Sequence, residues 1–218
     1  MTESLSLTSL PLFPLGTVLY PGGSLSLRIF EVRYLDMIRK CHKSGAPFGV
    51  VSLTEGSEVR RPGDAPSGDG FAQESFNPVG TLARLVDVAT PQAGLMMIRC
   101  VGTQRFKISR HEKLKHGLWT ADVSQLPDDQ TIPVPDDLKK SATALGNLIT
   151  KLRGRDLPAS EMPMHEPYLL DDCAWVANRW CELLSMPLEL KQRLMELDNP
   201  LVRLELVGDM LERNGIVT

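Results

Sequence analysis

Apolar and polar residues alternate through Ser24-Leu25-Ser26-Leu27-Arg28-Ile29, which predicts a half-buried strand with Leu25, Leu27 and Ile29 facing inward. The period then lengthens. Tyr34, Leu35, Ile38 and Cys41 recur at helical spacing, and Gly45 suits the helix C-terminus. Ahead of both lies Leu10-Pro11-Leu12-Phe13-Pro14-Leu15, whose two prolines remove ladder donors and so suit an edge or entry strand. Pro21-Gly22-Gly23 supplies a turn. Further strand-like runs follow at 48–54, 79–90, 94–101, 103–109 and 118–125. Among them Phe106 and Ile108, and then Trp119, Ala121 and Val123, alternate cleanly with polar neighbours. Many short strands with a single helix after the second predict a closed or nearly closed antiparallel sheet.

Beyond the proline-punctuated stretch Pro127–Pro135 the pattern turns helical. Asp136 and Asp137 favour a helix N-terminus, and Leu138, Ala142, Leu145, Ile149 and Leu152 make one apolar face. After an irregular 155–168, Asp171 or Asp172 can cap a helix that presents Val176, Trp180, Leu183 and Leu184. A short helix follows Pro187, and Asn199-Pro200 opens a last one with Leu201, Leu204, Val207 and Leu211 inward. Four helices of this kind pack as a small bundle. The predicted organisation is therefore a β-rich domain over 1–125, a linker over 126–133 and an α-helical domain over 134–218. Between Gly56 and Gly80, 8 of 25 residues are Gly or Pro, too many to bury apolar surface against the ordering entropy. Residues 55–78 are expected to be a long mobile excursion.

Composition narrows the function classes. The chain of 218 residues is 42% hydrophobic and 23% charged, ordinary for a soluble globular protein. No leader pattern and no run of about 20 apolar residues is seen. Together with four unpaired cysteine spacings, this points to a reducing cytoplasm, no disulfides and no membrane. Residues 1–125 hold 14 Lys+Arg against 11 Asp+Glu, and residues 126–218 hold 10 against 16. Neither balance demands nucleic acid.

Catalytic signatures are absent. His111-Glu112-Lys113-Leu114-Lys115-His116 has its histidines five apart, about 140° around a helix, so they cannot share one zinc as the four-residue spacing does. His42 and His165 lack ligand-spaced partners, so neither metal nor other cofactor is expected. No G-x-S-x-G elbow, catalytic cysteine signature or phosphate loop occurs. Cys173 and Cys181 read as core residues.

Leu10 to Leu15, Leu19 to Gly22, and Ile29-Phe30-Glu31-Val32-Arg33-Tyr34 resemble the opening of the Lon N-terminal domain family. Phe48-Gly49-Val50-Val51, Val79-Gly80-Thr81-Leu82-Ala83 and Gly102-Thr103-Gln104-Arg105-Phe106 extend the likeness in the same order. That family is the substrate-binding region of Lon proteases, also found standing alone and, diverged, in cereblon. The resemblance implies an α+β fold, a PUA-like pseudo-barrel with one helix followed by a C-terminal α-helical bundle. It implies a non-catalytic module that binds unfolded or exposed polypeptide segments, with a protease or chaperone acting in trans. The expected contact residues are Phe13, Tyr20, Arg33 and Tyr34, with 55–78 as a flap. A structural reading of the same run stands beside it. Phe30 and Tyr34 would pack the helix on the sheet, Glu31 would sit at its N-terminus and Arg33 would pair with a carboxylate. Trp175 and Trp180, five apart, cannot both be deep core. PUA-like barrels also serve RNA-modifying proteins, and Arg60, Arg61, Arg105, Lys107, Arg110, Lys113 and Lys115 are the residues an RNA-binding alternative would use. A pI near 5.8 and the lack of interleaved aromatics disfavour it.

Overall fold

The computed structural model describes residues 5–56, 74–155 and 162–217. The chain divides into two compact units, Met1–Asp128 and Asp129–Thr218, in an α+β architecture. Most of the predicted 55–78 excursion lies outside the described residues.

In the first unit the strands are β1 (Ser6–Leu15), β2 (Ser24–Ile29), β3 (Phe48–Glu55), β4 (Ser75–Phe76), β5 (Val79–Gln92), β6 (Leu95–Lys113) and β7 (Trp119–Gln125). One helix, α1 (Val32–Ser44), follows β2. Neighbours run β1-β7-β6-β5-β3, and β1 pairs with β3 to close the ring. That last pairing is parallel, Leu12 to Leu15 against Gly49 to Ser52, so the sheet is not wholly antiparallel as its alternation suggested. A parallel pair needs a long crossover, and the β2-α1 segment provides it.

The two prolines of β1 explain how an apparent edge strand enters a ring. Pro11 pairs with Thr120 of β7, just before the β3 register begins at Leu12. Pro14 lies in the β3 register, beyond the last β7 pair at Leu12. Each proline sits where β1 has one neighbour, so its missing donor costs no ladder bond. The strand is an edge locally and an interior strand overall.

Residues 94–101 and 103–109 join into the single 19-residue β6. β2 pairs with its first half and β7 with its second. Gly102 allows the join, because a Cβ there would lie 2.3 Å from the Tyr20 carbonyl oxygen. Inside the ring Leu10, Leu12, Val51, Leu82, Phe106, Ala121 and Val123 form one core. The apolar face of α1 (Tyr34, Leu35, Met37, Ile38, Cys41) closes a second over Phe13, Phe48, Ile98 and Cys100. The four cysteines are buried and form no disulfide, and burial pushes the Cys100 thiol up to about 12.

The second unit holds a 3-10 turn (Asp136–Leu138), then α2 (Lys139–Arg153), α3 (Cys173–Leu183), α4 (Leu188–Glu196) and α5 (Pro200–Arg213). Asp172 caps α3, accepting from Ala174 N–H at 2.6 Å, and Asn199 caps α5, accepting from Leu201 N–H at 3.0 Å. Trp180 is core, donating to the Ser141 carbonyl at 3.0 Å, while the half-buried Trp175 sits edge-on to Tyr168. Part of the expected linker is held by the helices. Cys173 N–H donates to the Ile132 carbonyl at 2.8 Å, and Val134 N–H to that of Asp171 at 2.9 Å.

Glu182 gives this unit a pH signature. Burial pushes its carboxyl up from 4.5 to about 7, although Arg179 lies 2.8 Å away and opposes the shift. The folded state therefore keeps a proton that the unfolded chain has lost between those values. Stability contributed by this group is full below pH 4.5 and falls as pH rises towards 7. The expected loss is on the order of 2 kcal/mol. Urea midpoints of wild type and Glu182→Gln at pH 5 and pH 8 measure it, and the wild-type decline should be the steeper.

A candidate binding cleft beside helix α1

Phe30 ends the inward alternation of β2 by facing out. Ile29 before it is buried, so the next residue of an extended chain points to solvent. Phe30 is 52% exposed and Val32, at the start of α1, is 71% exposed. Both line a cleft of about 600 Å3 whose wall is the Arg33, Asp36 and Lys40 side of α1, with His116 of the β6–β7 turn and Glu31 completing it. β2 has β6 as its one strand partner among the described residues.

Arg33 forms the floor. Its side chain is 8% exposed and donates three ways: Nε to Glu31 at 3.0 Å, Nη2 to Glu74 at 3.0 Å, and Nη1 to the Gly117 carbonyl at 2.7 Å. Its guanidinium also lies 4.5 Å from the Tyr34 ring centre. Burial disfavours the Arg33 charge, but Tyr34, Glu74 and Glu31 together outweigh it and raise the pKa. The second Glu74 oxygen accepts from Trp119 Nε1–H at 2.7 Å. The Glu74 side chain is 4% exposed and joins α1 to β7 at the entrance to β4, while Arg33 itself reaches the β6–β7 turn. Phe76 and His111 pack around Trp119, with ring centres 5.3 and 5.4 Å from it. Glu31 is the N-cap by position but makes no capping bond, its carboxylate being turned to Arg33.

Of the four expected contact residues, three are core. Phe13 is 6%, Tyr20 0% and Tyr34 3% exposed. Phe13 stacks on Tyr34 with ring centres 4.0 Å apart, an apolar union worth more buried than wet. These residues are thus corrected from surface to support. Phe13 and Tyr34 line a recess of about 60 Å3 together with Phe30, and Tyr20 is fully buried. Only Arg33 borders the cleft. Phe30, Val32, His116 and Glu74 are the additions. Phe30 was readable as an apolar residue on the polar face of β2, whereas nothing local marks Glu74.

The residues considered for RNA separate as well. Arg105 is 3% exposed, its Nη2 donating to the Pro127 carbonyl at 3.4 Å, so it leaves that set. Arg60 and Arg61 lie outside the described residues. His111 lies in β6, opposite Ala121 of β7, and His116 in the turn that follows, so 111–116 is half strand and half turn and not a helix. Among the described residues no group of three or more His, Cys, Asp or Glu is placed to share a metal ion. No helix there is long and apolar enough to cross a membrane.

The family model of the ATP-dependent protease La (LON) substrate-binding domain matches residues 9–213. The chain belongs to this family. It is similar to the crystal structure of a Lon N-terminal domain protein from Xanthomonas campestris, at 30% identity and a TM-score of 0.66, over 92% of this chain and 97% of that one. The N terminal domain of Mycobacterium avium complex Lon protease superposes with a TM-score of 0.54 at 16% identity, over 94% of this chain and 98% of that one. This second likeness shows the fold alone. In the Lon-domain frame, the cleft lies at the junction of β2 and α1, within the matched residues.

Proposed function

We propose that this Lon-family chain binds exposed segments of polypeptide through the cleft beside α1, with Phe30 and Val32 as the apolar contacts. The observation that carries the reading is that pair of exposed side chains beside the edge of β2 away from β6, its one strand partner among the described residues. An extended segment can lay its backbone along such an edge while one apolar side chain enters the cleft. Phe13 and Tyr34 hold the wall from behind. The module is read as non-catalytic and cytoplasmic. Its thiols are buried, its sequence has no phosphate loop or nucleophile elbow, and a protease or chaperone in trans would supply any downstream action.

Binding of a permanently unfolded, reduced and alkylated protein to the pure chain tests this. Phe30→Ser with Val32→Ser should weaken it at least ~10-fold, the worth of one well-buried apolar side chain. The melting temperature should stay nearly unchanged, because both residues are exposed. A wild-type chain that retains no unfolded polypeptide rejects the reading. Tight, strongly salt-dependent retention of RNA in its place would install the nucleic-acid alternative.

A further inference from the structure

We infer that Glu74 is a specificity-determining residue of this cleft, setting it against acidic ligands by neutralising the arginine in its floor. The inference rests on the polypeptide-binding reading above and adds the ligand chemistry. A buried arginine at the bottom of a cleft would ordinarily be an anchor for carboxylate, since its planar fork matches two oxygens. Here the fork is already engaged. Glu31 and Glu74 each hold the guanidinium at 3.0 Å, so one positive charge faces two negative ones.

The degree of burial decides which charges matter. Arg33 and Glu74 are 8% and 4% exposed, and Glu31 is 24% exposed. At the rim stand Asp36, 55% exposed and paired at 3.0 Å with the exposed Arg39 behind it, and the exposed Lys40, and solvent and salt screen all three. The field an incoming group meets at the floor is therefore that of the triad, whose net charge is negative. A ligand carboxylate would have to displace Glu31 or Glu74 and leave it poorly compensated. A neutral peptide carbonyl faces no such cost. A guanidinium carries five N–H donors, and three bonds account for the Arg33 contacts described, to Glu31, Glu74 and Gly117. A neutral acceptor, unlike a carboxylate, need not displace either glutamate to approach this group. The cleft thus takes the backbone of a neutral or basic segment beside an apolar side chain, and Glu74 enforces that choice while Trp119 fixes its second oxygen at 2.7 Å.

The test uses three unstructured peptides with one central phenylalanine, flanked by serines, by aspartates or by lysines. Their dissociation constants are measured at about 50 mM salt, where screening is weak, for the full chain and its variants. Wild type should bind the serine and lysine peptides at least ~10-fold more tightly than the aspartate peptide, the worth of one charge-assisted contact. Glu74→Gln should close most of that gap by strengthening the aspartate peptide alone. Loosened packing would weaken all three peptides together, so the ratio separates selectivity from structural support. Should Glu74→Gln fold poorly, Glu31→Gln relieves the same guanidinium without touching Trp119 and should move the ratio the same way. Equal wild-type affinities, or an unchanged ratio in both variants, overturn the inference while leaving polypeptide binding in place. Failure of all three peptides to bind wild type strikes the underlying reading.

Discussion

Replacing Gly80 with alanine is expected to destabilise the β unit by about 3 kcal/mol or more, near the upper end for overpacking. A Cβ at this position would lie 2.4 Å from the Val50 carbonyl oxygen, 2.7 Å from Phe106 Cζ and 2.8 Å from Val51 Cγ1. None of the three has room to yield. Val50 pairs with Thr81 of β5 on one side and with Phe13 of β1 on the other, so its carbonyl is fixed by the ring. Phe106 is fully buried in the barrel core. Gly94 provides the control. It has a φ of +78° but nothing within 4 Å of its would-be Cβ, so alanine there meets only the left-handed backbone penalty of roughly 1 kcal/mol. Urea unfolding of both variants separates crowding from backbone strain. A Gly80→Ala midpoint equal to that of Gly94→Ala would mean the barrel interior is looser than described.

The same crowding shows what the sequence could and could not convey about the fold. The inner faces of β2, β7 and α1 were legible because burial on one side writes a period, two for Leu25-Leu27-Ile29 and 3.6 for Tyr34-Leu35-Ile38-Cys41. Caps were legible too, since Asp172 and Asn199 act on their own next residues. The parallel β1–β3 pairing was not. It depends on which distant strands meet, and a run such as Leu10–Leu15, covered on both faces, carries no alternation to read. Nor did anything local show that Gly102 lets β6 run past Tyr20 without a break.

The site was less legible than the fold, for a related reason. Phe13, Tyr20 and Tyr34 drew attention as aromatic residues in a recognisable motif, yet such runs record what the core needs as readily as what a ligand touches. Arg33 was read correctly on one of its two readings, since a carboxylate pair was foreseen. Its partner Glu74 could not be foreseen. It is 41 residues away, in a stretch whose composition speaks only of loop. Contacts that close across a barrel leave no periodic trace, so Glu74, Gly117 and Trp119 became a unit only in three dimensions.

Arg203 is the corresponding case in the helical unit, and Arg203→Ala is expected to cost about 3–5 kcal/mol, the usual penalty for breaking a buried charge pair. Its side chain is 1% exposed, and Asp129 beside it is 9% exposed. Nη1 reaches Asp129 Oδ2 at 2.6 Å and Nη2 reaches Oδ1 at 3.0 Å, a two-pronged pairing. Asn178 Oδ1 accepts from Nη1 at 2.9 Å, the Leu194 carbonyl accepts from Nε at 2.9 Å, and the Leu197 carbonyl accepts from Nη2. One side chain therefore closes the C-terminal end of α4, holds α3 to α5 and ties residue 129 to the helices. Alanine would take the guanidinium's N–H groups away from a carboxylate, an amide and two carbonyls, which is dearer than the loss of the attraction itself. The double variant Asp129→Leu with Arg203→Met removes both charges of the pair and keeps the volume. It should recover part of the loss relative to Arg203→Met alone, whereas additive costs would mean that the pair does not act as a unit. Arg193, paired with Glu189 but 73% exposed, supplies the baseline: its alanine variant should change stability by less than about 0.5 kcal/mol. Chemical denaturation of these four variants and of Asp129→Leu alone, followed by far-UV circular dichroism because the unit is helical, decides whether buried geometry or mere ion-pair count holds the bundle together.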